Sequence, residues 1–173
     1  MTRLFTILII LLAIYSCGDG DVLEFDLDFD QDLELCGNID SETYLVYDVR
    51  TDPSESLIAL FPGSDSNDKI FFPEVSPTEG SIAINGSTVR FNYRAYNGDP
   101  LEIICQDIPS SEVRITTDYE ASSGVINYTT TFTDENGIRT VTVVFNITDT
   151  DIEVLRSDLI NLGIYTHSYS IEN

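Results

Sequence analysis

Carboxylates are the most abundant side chains with chemical potential in this sequence, which has 30 Asp and Glu residues against eight Lys and Arg. Acids alternate with apolar residues along 23–35, with only Gln31 breaking the apolar phase, which is the period-two pattern of a strand with one buried and one solvated face. Residues two apart on a strand are about 6.6 Å apart, whereas calcium needs oxygens about 2.4 Å from one centre. Leu33 also stands where an EF-hand loop requires glycine. This row of acids therefore predicts a solvated strand face.

Loops offer a cation better geometry than a straight strand does. Two short acidic stretches, 65–68 and 149–151, lie between patterns of regular structure. The candidate calcium ligands in them, chosen because calcium prefers oxygen ligands, are Asp65, Asp68, Asp149 and Asp151. Such stretches are also ordinary turns. The primary expectation is therefore that the protein has no cofactor, and calcium is the alternative.

Catalytic groups other than carboxylates are scarce. His167 is the single histidine, and no Ser or Cys stands in the G-x-S-x-G pattern of a nucleophile elbow. The carboxylate pair of a glycoside hydrolase stays open, because the chain has many acids and no feature selects two of them. We therefore expect a protein that is not an enzyme, with a small carboxylate-dependent hydrolase as one alternative.

The first residues have the pattern of a secretory signal. Arg3 precedes an apolar run at 4–14 that only Thr6 interrupts. The run is too short to cross a bilayer, which takes about 20 apolar residues. It ends in Ile14-Tyr15-Ser16-Cys17, which resembles the lipobox of bacterial lipoproteins, with Tyr15 in place of the usual small residue. The resemblance implies a signal peptide at 1–16 and lipidation of Cys17; an ordinary signal peptide with an incidental cysteine is the alternative.

An acidic leader, Gly18-Asp19-Gly20-Asp21, follows the predicted lipidation site. It resembles the leader of Bacteroidota lipoproteins, and the Cys-x-Asp-Gly-Asp start is similar to that of uncharacterised flavobacterial lipoproteins. Further short matches to that group are Phe25-Asp26, Leu35-Cys36, Glu55-Ser56-Leu57, Ile104-Cys105 and Ile108-Pro109. The resemblance implies a cell-envelope protein whose lipid at Cys17 holds it in the outer membrane, on the periplasmic or the surface face. It brings no known activity.

Charge limits the partners. The formal net charge is −22, and cleavage before Cys17 would remove Arg3 and leave −23, from seven bases and 30 acids. Such a surface repels nucleic acid and anionic lipid headgroups. The expected partners are therefore the membrane, through the anchor at Cys17, and an envelope protein or glycan. Beyond the leader at 17–21, residues 22–173 have the length of a single domain.

Two cysteines remain in the predicted mature chain, Cys36 and Cys105. A lone pair in an exported protein predicts a disulfide, and two buried thiols are the alternative. Cys105 shares a period-two phase with Leu101 and Ile103, which predicts that it points into the core.

Several further segments have strand patterns. Alternation predicts strands at 43–49, 89–96, 113–119 and 164–171, the last of them at a sheet edge. The continuous apolar run at 57–61 predicts a strand covered on both faces. Pro, Ser and Asp at 62–80 predict a long loop with one short strand at 69–72. Residues 152–162 are ambiguous between strand and helix.

The strongest local signal is the hairpin around Asn136-Gly137. A two-residue loop there pairs Phe132 with Val141 and Tyr128 with Phe145 on one face. On the other face it pairs threonines, Thr131 with Thr142 and Thr133 with Thr140. These rows predict a solvated sheet face, with a repetitive ligand such as ice or glycan as the alternative.

About ten short strands predict an all-β fold, an antiparallel β-sandwich of immunoglobulin-like or jelly-roll-like arrangement, with a lipocalin-like barrel as the alternative. The chain lacks tryptophan, so a true immunoglobulin domain is not supported. We expect a lipid-anchored extracytoplasmic module that binds or scaffolds without catalysis. The alternatives are a calcium-stabilised adhesion or glycan-binding module and the small hydrolase.

Overall fold

The computed structural model describes residues 29, 33–37, 41–73, 78–152 and 162–172. The predicted signal peptide, the lipidated Cys17 with its leader, most of the acidic row at 23–35 and the ambiguous segment at 153–161 lie outside these residues. Within the described ranges no helix is long and apolar enough to cross a membrane.

Nine strands of the described chain form two antiparallel sheets. The first sheet has the order β1 (Glu34–Cys36), β2 (Thr43–Thr51), β3 (Ser54–Pro62), β5 (Arg90–Tyr96) and β6 (Ile115–Glu120). The second has the order β4 (Thr78–Ile84), β7 (Ser123–Glu135), β8 (Ile138–Asp151) and β9 (Gly163–Glu172). The predicted all-β sandwich is confirmed, and across the described strands no closed barrel forms. In each sheet the strands follow chain order. This differs from the immunoglobulin arrangement, in which the fifth strand, E, lies between strands B and D of the same sheet.

The main core lies between the two sheets. Every second residue of β2, β3 and β5 enters it from the first sheet, and alternate residues of β7 and β8, together with Tyr165 of β9, enter it from the second. Its fully buried aromatic side chains include Tyr44, Phe61, Phe91, Tyr93 and Tyr165. Phe29 and Leu33 are buried there too, as their phase in the alternating acidic segment predicts.

A second, smaller cluster covers the outer face of the five-stranded sheet. Its buried members are Tyr47, Ile58, Tyr96 and Ile104, and Leu45, Val49 and Cys36 pack against them. β2 is therefore apolar on both faces: Tyr44 and Val46 enter the main core, and Leu45 and Tyr47 enter the outer cluster. The prediction that β3 is covered on both faces is confirmed in the same way, because Ile58 faces outward and Leu57 inward.

The segment that covers this outer cluster is not a strand. Pro100–Glu102 is a 3₁₀ turn, and the Asp99 side chain accepts a hydrogen bond of 2.9 Å from the Leu101 backbone N–H. The prediction that Cys105 points into the core is wrong: Ile104 is the buried residue, and Cys105 is exposed with φ of +58°. Asp99 followed by Pro100 favours the start of a helical turn. In such a turn, alternate residues no longer point to the same side, so the period-two pattern does not place Cys105.

The strand predicted at 69–72 is also wrong, because a helix, α1 (Asp65–Phe71), replaces it. Ser64 caps the helix by accepting a hydrogen bond from the Asn67 N–H. Asn67, Ile70 and Phe71 are its buried residues, with the i, i+3, i+4 spacing of one helix face. The Ile70 carbonyl accepts a hydrogen bond of 2.8 Å from the Thr130 hydroxyl, which attaches the helix to β7.

The hairpin at Asn136-Gly137 is confirmed in its register. β7 and β8 pair Phe132 with Val141, Thr131 with Thr142 and Thr133 with Thr140. Both loop residues have positive φ, 53° at Asn136 and 81° at Gly137, as a type I′ turn requires. β9 pairs only with β8 among the described strands, so the predicted edge position is confirmed as well.

Candidate functional site

The four acids predicted to bind calcium lie in a helix and a strand, so their predicted placement in loops is wrong. Asp65 and Asp68 are in the first turn of α1, where an acid stabilises the helix N-terminus, and Asp68 accepts a hydrogen bond from the Tyr44 hydroxyl. Asp149 and Asp151 are at the end of β8, and Asp151 accepts a hydrogen bond of 2.8 Å from the Ser122 hydroxyl. Within the described chain, no group of three or more His, Cys, Asp or Glu residues could hold a metal ion. Calcium binding at these four acids stays a prediction.

The structure pairs Cys36 with Cys105, at a Cα–Cα distance of 6.0 Å. This distance lies within the usual range for disulfides, about 4.4–6.8 Å. The bond joins β1 to the segment that covers the outer cluster, so its position indicates a structural role.

The Glu55 carboxylate is held in place by two neighbouring polar side chains. Arg50 pairs with Glu55, whose second oxygen accepts a hydrogen bond of 2.7 Å from the Tyr93 hydroxyl. Burial raises the pKa of Tyr93, and the hydrogen bond to Glu55 raises it further. Tyr93 is therefore protonated at neutral pH and acts as a donor that positions Glu55.

Three more tyrosines have raised pKa values, and burial is the main cause in each. Burial raises the pKa of Tyr96, against a smaller lowering by its hydrogen bond with Ser56. Burial also raises the pKa of Tyr47, with a further contribution from the charge of Glu34, and the pKa of Tyr169. These hydroxyls stay protonated under physiological conditions, so none of them supplies a general base.

The outer face of the four-stranded sheet presents a regular array of hydroxyl and amide groups. Alternate residues of β7 and β8, and three residues of β9, point away from the core, because the residues between them face it. We call this surface the hydroxyl face; its members are Asn127, Thr129, Thr131, Thr133, Thr140, Thr142, Asn146, Thr166, Ser168 and Ser170.

The hydroxyl face is ordered in rows across three strands. Thr131, Thr142 and Ser168 form one row, and Thr133, Thr140 and Ser170 form the next. The hydroxyls of Thr142 and Ser168 are 2.9 Å apart, and those of Thr140 and Ser170 are 3.4 Å apart. Neighbouring strands lie about 4.8 Å apart and alternate residues about 6.7 Å apart, so the groups form a two-dimensional grid.

Charge is confined to the border of this grid. Among the side chains that the structure describes, the charged positions around the face are Glu79 on β4, Glu135 near the hairpin turn, and Asp149 towards the opposite end of β8. Val144, half-buried between Thr129 and Thr166, adds an apolar patch inside the grid. A ligand bound here meets neutral donors and acceptors with few ions to desolvate, and desolvating a hydroxyl costs far less than desolvating a charge.

The sequence indicates the threonine pairs of β7 and β8, but it does not indicate that β9 adds a third strand to the grid. The alternation at 164–171 places Thr166, Ser168 and Ser170 on one face, but nothing local shows that this strand pairs with β8. The signal that could have found them is the repeated hydroxyl spacing, Thr166-x-Ser168-x-Ser170, which matches Thr140-x-Thr142 in period.

A scan against protein-family models, a search of curated proteins and a search of solved structures each found no match to this chain.

Proposed function

We propose that this chain is a lipid-anchored, extracytoplasmic, non-catalytic binding module whose hydroxyl face contacts a neutral polysaccharide of the cell envelope. The observation that carries the proposal is the grid itself. In a chain with a net charge of −22, three adjacent strands present a face whose described interior positions are hydroxyl and amide groups around Val144, with carboxylates at the border.

The chemistry of the grid suits a polymer of sugar hydroxyls. Each Thr or Ser hydroxyl can donate one hydrogen bond and accept others, so it can pair with a sugar hydroxyl in either orientation. One such bond contributes only about 0.5–1.5 kcal/mol net, so useful affinity requires several of them along an extended ligand. The repeat along and across the strands supplies that number, and the methyl groups of threonine offer contacts to sugar C–H groups.

The anchor part of the proposal rests on the lipobox-like stretch that ends at Cys17. Each buried methylene of an acyl chain contributes about 0.8 kcal/mol, and stable anchoring needs more than one chain. A lipidated Cys17 carrying several chains meets this condition. The leader at 17–21 and the following residues would then separate the sandwich from the membrane.

Lipidation predicts a clear result for Cys17→Ser. In cells fed labelled palmitate, the variant is expected to lose the label and to leave the membrane fraction, because it has no thiol to acylate. The matched control is the double variant Cys36→Ser/Cys105→Ser, which keeps Cys17 and should keep the label. Undiminished labelling of Cys17→Ser would show that the anchor is elsewhere.

Binding at the hydroxyl face predicts a loss when negative charge is placed in the grid. Thr131→Glu/Thr142→Glu puts two carboxylates in adjacent strands at the centre of the face, and we expect at least a tenfold weaker retention of the full chain in gels containing laminarin, dextran or another neutral polysaccharide. The control Ser111→Glu/Thr116→Glu adds the same charge at exposed positions away from this face. Equal weakening by both pairs, or no retention of the wild type in any of these gels, would contradict the polysaccharide proposal.

The hydrolase alternative makes a different prediction for the same polysaccharides. A hydrolase would release reducing ends from them over time, whereas a binding module would leave their length unchanged. Assaying reducing sugar after incubation with the full chain separates the two.

A further inference from the structure

A groove opens on the outer face of the other sheet, beside the loop that joins β4 to β5. Its volume is about 270 Å³, and its lining residues are Thr43, Leu60, Pro62, Gly86, Ser87, Thr88 and Arg90. Leu60 of β3 and Arg90 of β5 are cross-strand partners, so they lie side by side on this sheet face. The volume is slightly below the range of about 300–1,000 Å³ typical of small-molecule pockets, which suits a ligand the size of one sugar.

The loop that forms one wall is held by its own hydrogen bonds. The Asn85 side-chain oxygen accepts from the Ser87 N–H at 3.1 Å, the Ser87 hydroxyl at 3.0 Å and the Thr88 N–H at 2.8 Å. Gly86 has φ of +72°, which an L side chain rarely adopts, and its N–H donates to the Val89 carbonyl at 3.2 Å. The wall is therefore formed before any ligand arrives, which reduces the entropy lost on binding.

Arg90 has no ion-pair partner among the described residues, unlike three other arginines. Arg50, Arg94 and Arg139 pair with Glu55, Asp118 and Asp134. Among the described residues, no carboxylate lies within salt-bridge distance of Arg90, although this chain has 30 acids. Its Nε donates to the Gly86 carbonyl at 3.3 Å, which orients the guanidinium and leaves both Nη groups for a ligand.

Glu120 of β6 lies beside the loop that forms this wall. Its Oε1 would lie 3.0 Å from a Cβ atom built on Gly86, so this carboxylate sits at the rim beside the loop. It can accept a hydrogen bond from a ligand hydroxyl. The groove thus combines one cation, the hydroxyls of Thr43, Ser87 and Thr88, and an apolar surface from Leu60 and Pro62, with the Glu120 carboxylate beside its loop.

We propose that this groove binds a carboxylated sugar, such as a uronic acid residue. The guanidinium of Arg90 pairs with the sugar carboxylate through two parallel hydrogen bonds, the geometry that arginine favours with carboxylates. Thr43, Ser87 and Thr88 bind sugar hydroxyls, and Leu60 packs against the C–H face. One carboxylate meets far less repulsion from the acidic protein than a polyanion does, because it carries a single charge, and salt screens exposed acids that lie more than about 8 Å away. This site is on the opposite sheet from the hydroxyl face and does not depend on it.

The test is calorimetric titration of the purified full chain with galacturonate, with galactose and inorganic phosphate as comparison ligands. Galacturonate is expected to bind at least tenfold more tightly than galactose, and Arg90→Gln is expected to weaken it at least tenfold. Arg114→Gln removes another exposed arginine that lacks an ion pair in the described chain, and it should change binding less than twofold. Thr88→Val should weaken binding severalfold without loss of charge.

Each other outcome overturns the proposal. No heat of binding with galacturonate at 10 mM, equal affinity for galactose, or equal effects of Arg90→Gln and Arg114→Gln would exclude a carboxylate site at Arg90. Binding of phosphate without galacturonate would mean that the groove takes a phosphate group and no sugar acid. Since Arg90 is on the solvent-facing side of β5, unchanged melting curves of the variants are the check that the fold is intact.

Discussion

Phe61→Ala is expected to lower the free energy of unfolding by about 3–5 kcal/mol, the cost typical of deleting a buried aromatic ring. Phe61 has no solvent exposure. Its ring centroid lies 5.2 Å from that of Phe71 in α1 and 5.8 Å from that of Phe145 in β8. One side chain therefore joins the first sheet, the helix and the second sheet. Removing it leaves a cavity at the point where all three meet.

Urea denaturation followed by circular dichroism measures this loss. The matched control is Phe72→Ala, which deletes the same side chain from a half-buried position at the end of α1. It should cost less than half as much, because water already reaches part of that ring. If the two substitutions cost the same, Phe61 does not have the central role in the core that its contacts indicate.

The double variant Cys36→Ser/Cys105→Ser is expected to lose up to about 4 kcal/mol of stability. The bond closes a loop with a sequence separation of 69, and in the chain-entropy model closing a loop of that length restricts the unfolded chain by about this amount. Cys36 also packs against the outer cluster, and Ile104, next to Cys105, is one of its buried members. Without the bond, the covering segment would separate from the sheet more readily.

Urea curves with and without dithiothreitol measure the global effect. Reductant should shift the wild-type curve to the position of the double variant and leave the variant unchanged. Amide exchange measures the local effect: protection of residues 99–113 should fall more than protection of the hairpin at 123–151. An unchanged wild-type curve in the presence of the reductant would show that the disulfide contributes little, because the reduced and the oxidised protein would then be equally stable.

Local chemistry explains which parts of the fold were predictable. The hairpin of β7 and β8 followed from Asn136-Gly137 and the alternation on either side, because a two-residue turn sets the register of the whole ladder. The long apolar run at 57–61 required cover on both faces wherever it lay. The cap of α1 was also local, since Ser64, Asp65 and the spacing of Asn67, Ile70 and Phe71 are a helix signal. The prediction failed there because Phe71-Phe72 and the nearby prolines favoured a strand in a loop.

The sequence by itself determined the all-β class and the pairing of β7 with β8, because these depend on neighbours within a few residues. Only the tertiary structure decided which apolar phase of β2 faces the main core, since both phases are apolar and the cover from Ile104 comes from a distant segment. It also brought the serines of β9 beside the threonines of β8, and Leu60, Gly86 and Arg90 into one groove. Residues far apart in the chain meet there because two sheets pack around one core, and no local pattern contains that packing.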